Sequence, residues 1–429
     1  MDLFHDEPPG SHGYGVAIIC LFLRLVFCGV SLRAVPRVLQ VFVEALGLPL
    51  RVPHWTTGRL WLMRLGHASL IEPLPKTDDW AWLIDHSVQI GQEKCLAILG
   101  IRLPDLPKPG DCLTHQDMKV IALLPGKSWS SEDVKQALEQ ASQRTGAPRV
   151  IVDDHGGDVR SGVALFQQRH RRTVEIYDIK HKAACLLKHR LEGEPRWQEF
   201  QRQIGQTRCA VQQTEMAFLV PPSPKPKARF MNLQPLLAWA EEVLALLLYI
   251  PEQLRKWVGP ERLQEKCGWV SGLREAIAEW SEWQAVVNIS VEFVNRQGIF
   301  RGVAKQLRQA LPRQFKYPSS QKLAQELVEF VRRQARRVKP GERLPGSTEV
   351  LESCFGKMKV LEKQQSRGGF TGLVVAFGAI VCQITTTVVK TAMLQSSTRM
   401  VWKWCKDHLG TTLFGKRQIA FAKSATKTG

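Results

Sequence analysis

Residues 79–87 read DWAWLIDHS, and residues 148–157 read PRVIVDDHGG. Both are short apolar runs bounded by polar, Pro or Gly residues, a pattern typical of buried β-strands. Each run ends on carboxylates, which are Asp85 in the first run and Asp153 with Asp154 in the second. Because the ends of buried strands are rigid, carboxylates placed there are candidates for a functional site.

A third acidic residue, Glu352, opens a helix-like segment at 347–363, STEVLESCFGKMKVLEK. Two strand-end carboxylates and one from a distant helix can hold two divalent ions about 4 Å apart. Asp85 would bridge the ions, and Asp154 and Glu352 would each complete one of them. This pattern predicts phosphoryl transfer on nucleic acid.

Two residues at the end of the second strand are candidates for the same ligand position. Asp153 and Asp154 are adjacent, and adjacent strand residues face opposite sides of a sheet. We favour Asp154 as the ligand, because it directly precedes the turn HGGD that ends the strand.

The order of elements predicts the fold class. Three strands with an antiparallel appearance come first, and helices then alternate with strands up to a helix capped by Asp178. This is the order of an RNase H-like α/β fold, a mixed sheet flanked by helices whose first and fourth strands lie side by side. Asp85 would then lie next to Asp154. The predicted segments are KCLAILGIR (94–102), MKVIALLP (118–125), a helix at 130–146, a helix from about 159, TVEIYD (173–178) and a helix at 179–191.

Residues 15–66 have helical periodicity, with Ser31 as a cap and Pro53 as a break. The pattern resembles a helix-turn-helix whose second helix would carry Arg59 and Arg64 to DNA. A three-helix bundle of another kind would give the same periodicity.

A Pro- and Lys-rich segment at 220–230 predicts a linker, and 231–337 is almost wholly helical in pattern. We interpret the second segment as an all-helical insertion before the last catalytic helix. The predicted domains are a helical DNA-binding domain (1–70), the first part of the catalytic core (71–225), the insertion (226–340), the C-terminal helices of the core (341–400) and a basic tail (401–429). The end of this tail, GKRQIAFAKSATKTG (415–429), is weakly patterned and is expected to be disordered.

The charge balance indicates a polyanionic partner. The chain of 429 residues has 59 Lys and Arg against 40 Asp and Glu, a net charge of +19, and nucleic acid is the usual partner of such a chain. Lys359, two helical turns after Glu352, could contact a phosphate. A dense group of arginines predicts contact with the DNA backbone: Arg332, Arg333, Arg336 and Arg337.

Other residues leave two interpretations open. His86 could position a phosphate, but a strand-end histidine is more often a hydrogen-bonded bystander. The tryptophans of the insertion could stack on an unpaired base, but aromatic residues of helical bundles usually belong to the core. These tryptophans are Trp269, Trp280 and Trp283.

Composition argues against several other classes. The ten cysteines are scattered singly, so they predict neither a zinc site nor a disulfide framework. The apolar stretch 16–30 is short and interrupted by Arg24, and the stretch 373–389 is better explained as a buried helix than as a membrane span. We expect a cytoplasmic protein with no membrane partner.

Four segments together resemble the DDE transposases of bacterial insertion sequences, over about residues 30–395. The segment around ESCFGKMK is the most specific. The segments are DWAWLIDHSVQIGQEKCLAILGI (79–101), VIVDDHGGDVRSGVALF (150–166), YDIKHKAACLLKHRL (177–191) and STEVLESCFGKMK (347–359).

The resemblance implies an RNase H-like catalytic domain, an N-terminal DNA-binding domain and metal-dependent DNA strand cleavage and transfer. The cofactor would be two Mg²⁺ or Mn²⁺ ions, held by Asp85, Asp154 and Glu352. The partners would be the terminal repeats of the element, the target DNA and a second copy of the chain in a synaptic complex near the bacterial nucleoid. Many relatives carry Tyr and Arg where this chain has Pro345 and Thr348, whereas their Lys is present as Lys359.

Overall fold

The computed structural model describes residues 7–10, 12–86, 94–223, 230, 232–364, 370–411 and 413–425. The chain is divided into two compact units. The first combines residues 1–108, 112–176 and 348–429, and the second combines 109–111 with 177–347.

The first unit is built on a five-stranded mixed sheet, in the order β3-β2-β1-β4-β5. β1 pairs antiparallel with β2 and parallel with β4, and β2 pairs antiparallel with β3. The predicted α/β class and the adjacency of the first and fourth strands are therefore confirmed. The strands are β1 (Trp80–His86), β2 (Lys94–Arg102), β3 (Lys119–Gly126), β4 (Val150–Asp153) and β5 (Val174–Tyr177).

One face of this sheet is covered by helices α4 (Ser131–Thr145) and α5 (Gly157–Arg169). Trp80, Trp82 and Ile84 of β1 belong to the same apolar cluster as residues of these helices. Since side chains alternate along a strand, Asp85 points to the opposite face. As the sequence predicts, α4 begins at a capping box in which Ser130 accepts from the backbone N–H of Asp133.

Three helices precede the sheet: α1 (Val16–Phe27), α2 (Val35–Leu46) and α3 (Trp55–Ile71). Helix α3 is buried along most of its length and packs against α1, β3 and helices from the C-terminal part of the chain. A DNA-recognition helix must present exposed side chains to a groove. Most of α3 presents no such surface, so the expected helix-turn-helix is not confirmed, and residues 1–70 belong to the compact unit that contains the sheet.

Five helices complete the first unit: α14 (Glu349–Lys363), α15 (Phe370–Ile380), α16 (Thr386–Gln395), α17 (Thr398–Leu409) and α18 (Leu413–Ala425). Residues 373–380 are buried, as expected of a core helix, but the apolar stretch then breaks and α16 begins under the side-chain cap of Thr385. None of the described helices is long and apolar enough to cross a membrane.

The end of the basic tail differs from expectation, because residues 413–425 form α18. Residue 412 and residues 426–429 lie outside the described residues. Ala, Lys, Arg and Gln favour helix even where, as at 416–422, the side chains are exposed.

The second unit is mostly helical and begins at residue 177, earlier than the predicted insertion at 226. A short antiparallel pair, β6 (Ile299–Phe300) with β7 (Arg343–Leu344), accompanies the helices. Residues 224–229 of the predicted linker lie outside the described residues. The helices are α6 (Ile179–Leu191), α7 (Pro195–Val211), α8 (Gln234–Leu248), α9 (Glu252–Arg255), α10 (Pro260–Cys267), α11 (Arg274–Gln297), α12 (Val303–Ala310) and α13 (Pro318–Ala335).

Helices α3 and α15 approach each other at a pair of glycines. A Cβ atom on Gly66 would lie 1.9 Å from the carbonyl oxygen of Val375, and one on Gly378 would lie 2.5 Å from the carbonyl oxygen of Gly66. Backbone cannot move aside as a flexible side chain can, so the packing of these two helices requires glycine at both positions.

We expect Gly66→Ala to lower the free energy of unfolding by about 1–3 kcal/mol, because the added methyl forces the two backbones apart. Urea unfolding followed by circular dichroism measures this. Gly356→Ala, at an exposed position of α14 where nothing lies within 4 Å of the new Cβ, is the control. It should raise stability by roughly 0.5–1 kcal/mol. Equal effects of the two substitutions would contradict the close approach.

Candidate functional site

The first two predicted ligands lie at the ends of paired strands. Leu83 of β1 is in register with Val152 of β4. Asp85 and Asp154 each follow two residues later. Alternation along β1 directs Asp85 to the face opposite α4 and α5. Asp154 has the same parity and is the first residue after β4, where its Oδ1 accepts from the backbone N–H of Gly156 at 2.8 Å. Asp153 has the opposite parity and is fully buried. The adjacency expected from the sequence is therefore present in the strands, and the alternation favours Asp154 over Asp153 as the partner of Asp85.

The third predicted ligand, Glu352, lies in the first turn of α14 and is half-buried. Its helix contacts β1, and none of its described residues belongs to the cluster on the α4–α5 face. Leu351, Phe355 and Met358 form the buried side of the helix. Lys359 is exposed two turns beyond Glu352, which places both residues on one side of α14.

Helix α14 also makes a polar contact with a residue of the same unit. The Nζ atom of Lys357 lies 2.7 Å from Nε2 of His115. Burial, and then the charge of Lys357, lowers the pKa of His115. A neutral imidazole can accept a hydrogen bond from the lysine, so this pair ties α14 to the loop that precedes β3.

The side chain of His86 interacts with a specific partner. Its Nε2 atom lies 2.8 Å from Oδ2 of Asp158 at the start of α5, and its ring lies beside that of Trp129. The backbone N–H of His86 donates to Oδ1 of Asp85 at 2.6 Å. The side chain of His86 thus anchors the strand end on one face, while its backbone holds the Asp85 carboxylate on the other.

A different group of possible metal ligands lies on and beside β4 and β5. Asp153, His155 and Glu175 each offer a ligand atom, and these atoms all lie within 4.8 Å of one another. This group was not predicted from the sequence. The Asp-x-His spacing at a strand end was a visible signal, but Glu175 is found only once β5 is known to lie beside β4.

The two N-terminal arginines differ in environment. Arg59 is exposed near the start of α3. Arg64 is half-buried and donates to the carbonyl oxygens of Met393 and Ser396, each at 2.5 Å. Carbonyls at the end of a helix lack partners within it, so Arg64, which was predicted to meet DNA, instead completes the end of α16.

The arginine cluster of the second unit is exposed around the C-terminal end of α13. Arg332 forms an ion pair with Glu329. Positive charge at a helix C-terminus is favourable, so part of the clustering has a structural cause. The exposed members are Arg332, Arg333, Arg336 and Arg337.

Two of the three tryptophans considered for base stacking belong to the core of the second unit. Trp280 is fully buried, and Trp283 is 5% exposed and donates to Ser319. Trp269 is partly exposed and donates to Thr207. Trp280 and Trp283 cannot stack on a base without unpacking the bundle, so the interpretation as core residues fits the structure.

No protein-family model matches the chain, and no curated protein matches it significantly.

We expect Arg64→Met to lower the free energy of unfolding by about 1–3 kcal/mol, because two carbonyls lose their charged donor. Arg59→Met, at an exposed position of the same helix, should change it by less than about 0.5 kcal/mol. Urea unfolding of both variants is the measurement. A stable Arg64→Met protein with reduced affinity for DNA would instead restore the predicted role of Arg64.

The pair of His86 and Asp158 predicts a pH dependence. Burial raises the pKa of Asp158, but hydrogen bonding to His86, the charge of His86 and backbone N–H groups outweigh it and lower the pKa below its ordinary 3.8. A carboxyl whose pKa is lowered by folding stabilises the protein above the unfolded pKa, and this contribution is lost as pH falls through the folded value.

Asp158→Asn should therefore lower stability by up to about 1 kcal/mol at pH 6. The difference from wild type should narrow below about pH 4. Urea unfolding at several pH values checks this, with His86→Gln and the double variant completing a cycle. Additive effects of the two substitutions would show that the residues do not interact.

Proposed function

We propose that this chain is a DDE-type transposase that cleaves and joins DNA strands at the ends of an insertion sequence. The observation that carries the proposal is the parallel pairing of β1 with β4, whose register directs Asp85 and Asp154 to the same face. The strand order β3-β2-β1-β4-β5 agrees with the RNase H-like arrangement expected from the sequence.

The proposed ligands fit the proposed cofactor. Asp85, Asp154 and Glu352 are carboxylates, and Mg²⁺ and Mn²⁺ prefer oxygen ligands. Asp85 would contribute to both ions, and the other two residues to one ion each. When bound, such a pair of ions supplies an activated attacking hydroxyl and stabilises the leaving oxygen of an in-line displacement.

The protein contributes position and charge. The hydrogen bond from the backbone of His86 restricts rotation of the Asp85 carboxylate, and the buried side of α14 fixes the helix that carries Glu352. Both effects reduce the rearrangement needed when a phosphodiester binds. Lys359, exposed on the same side of α14 as Glu352, would contact a phosphate near the ions.

The DNA partner is proposed from charge and exposure. The net charge of +19 favours a polyanion, and Arg59 and the cluster Arg332, Arg333, Arg336 and Arg337 are exposed. Contacts of this kind bind the backbone without reading sequence and weaken as salt rises. Terminal repeats and target DNA would be the substrates, and a second copy of the chain would complete the synaptic complex.

The test is cleavage of a labelled duplex that carries the ends flanking this gene, with Mg²⁺ or Mn²⁺. Asp85→Ala should reduce the rate at least about a thousandfold, since metal-ion stabilisation of the transition state is worth several kcal/mol. DNA binding should be largely unchanged. Asp78→Ala, which removes an exposed carboxylate shortly before the same strand, is the control and should cleave like wild type.

The outcomes separate the alternatives. Nicking at the element boundary followed by joining of the 3′ ends supports the proposal. Nicking without joining indicates a metal-dependent nuclease, and binding without nicking in either metal indicates an inactive, transposase-derived DNA-binding protein. Equal nicking by wild type and Asp85→Ala would remove Asp85 from the site.

A further inference from the structure

We propose that Asp153, His155 and Glu175 form a second metal site, which binds a transition-metal ion such as Zn²⁺. The site is distinct from the carboxylates Asp85, Asp154 and Glu352 and does not depend on the proposed function. Asp153 has the strand parity opposite to that of Asp154, so its side chain leaves β4 on the other face.

The distances suit a shared ion. Nε2 of His155 lies 3.0 Å from Oε1 of Glu175 and 4.0 Å from Oδ1 of Asp153. Zinc bonds to nitrogen and oxygen are about 2.0–2.2 Å long, so two ligand atoms on one ion lie about 3–3.6 Å apart. Oδ1 of Asp153 is slightly farther from Nε2 than this range, and all three ligand atoms lie within 4.8 Å of one another.

The charges of the group also favour a cation. Asp153 is fully buried and Glu175 is 12% exposed, so two carboxylates approach each other where water is scarce. Like charges this close repel. Buried charges in proteins are paired with other groups or coordinate metals, and a divalent ion between these two carboxylates would offset their repulsion.

The donor set selects the type of metal. An imidazole nitrogen with two carboxylate oxygens suits Zn²⁺ and related transition metals, whereas Mg²⁺ prefers oxygen alone. Magnesium should therefore not compete for this group. The local backbone holds the ligands as a ligand shell requires, because the N–H of His155 donates to Oδ1 of Asp153 at 2.7 Å.

The experiment is a calorimetric titration of the full chain with Zn²⁺, in excess Mg²⁺ and after alkylation of accessible thiols. Alkylation is needed because Cys28, Cys112, Cys185 and Cys209 are exposed and thiolates bind zinc. The test variant is His155→Asn, since residue 155 has φ 58° and asparagine tolerates this left-handed conformation.

A matched control tests whether the loss of any imidazole paired with a carboxylate changes zinc binding. His170 lies 3.0 Å from Glu139, the same separation as between His155 and Glu175. His170→Asn therefore removes an equivalent pair of imidazole and carboxylate outside the proposed site. Glu175→Gln tests the site independently should His155→Asn fail to fold, as judged by circular dichroism.

We expect one zinc ion per wild-type chain, with affinity reduced at least about tenfold in His155→Asn and Glu175→Gln. His170→Asn and Asp85→Ala should bind zinc like wild type. The proposal is overturned if the alkylated wild type binds no zinc, or if folded His155→Asn or Glu175→Gln binds it with unchanged affinity. Loss of DNA cleavage has no bearing on this result, so this proposal and the proposed function can fail separately.

Discussion

The parallel pairing of β1 with β4 is the constraint on which the first unit depends. Parallel neighbours cannot be joined by a tight turn, so β2, β3 and α4 occupy the chain between them. The same pairing brings two carboxylate-bearing strand ends to one edge of the sheet. The proximity of two carboxylates 69 positions apart (154 minus 85) thus follows from backbone hydrogen bonds rather than from any direct attraction between the carboxylates, which repel.

The edge of the sheet carries different chemistry on its two faces. On one side Asp85 and Asp154 point away from α4 and α5, in the direction expected for a hard-cation site. On the other side lie the pair of His86 with Asp158 and the group of Asp153, His155 and Glu175. A single-residue step along β4 separates the two sets, because adjacent residues of a strand face opposite ways.

Strong local patterns made much of the fold predictable. Apolar runs gave the five strands, Ser130 and Asp178 marked two helix starts by their caps, and the turn after Asp154 placed the end of β4. The roles of candidate residues outside the strand ends were harder to predict. Arg64 looked like a DNA contact because its partners, Met393 and Ser396, lie more than 300 positions away.

Other environments were not predicted for the same reason, because they depend on packing against residues that are distant in sequence. Helix α3 has the helical periodicity expected from the sequence, yet it is enclosed by helices that follow the second unit in sequence. Glu175 resembles any polar residue of a short strand until β5 is placed beside β4. No sequence feature marked the start of the second unit at residue 177. A strand followed by a capped helix is also expected within a single sheet that is flanked by helices.

The contact of Gly66 with Gly378 has a consequence for the synthesis of this protein. These glycines are 312 positions apart (378 minus 66), and α3 cannot bury its apolar surface until α15 has left the ribosome. At about 5–20 residues per second, this interval is on the order of 15–60 seconds. The nascent chain must therefore hold an incomplete first unit, with apolar helices uncovered, while the whole second unit is made. Chaperone binding to α1–α3 during this interval is the expected result of a core assembled from both ends of the chain.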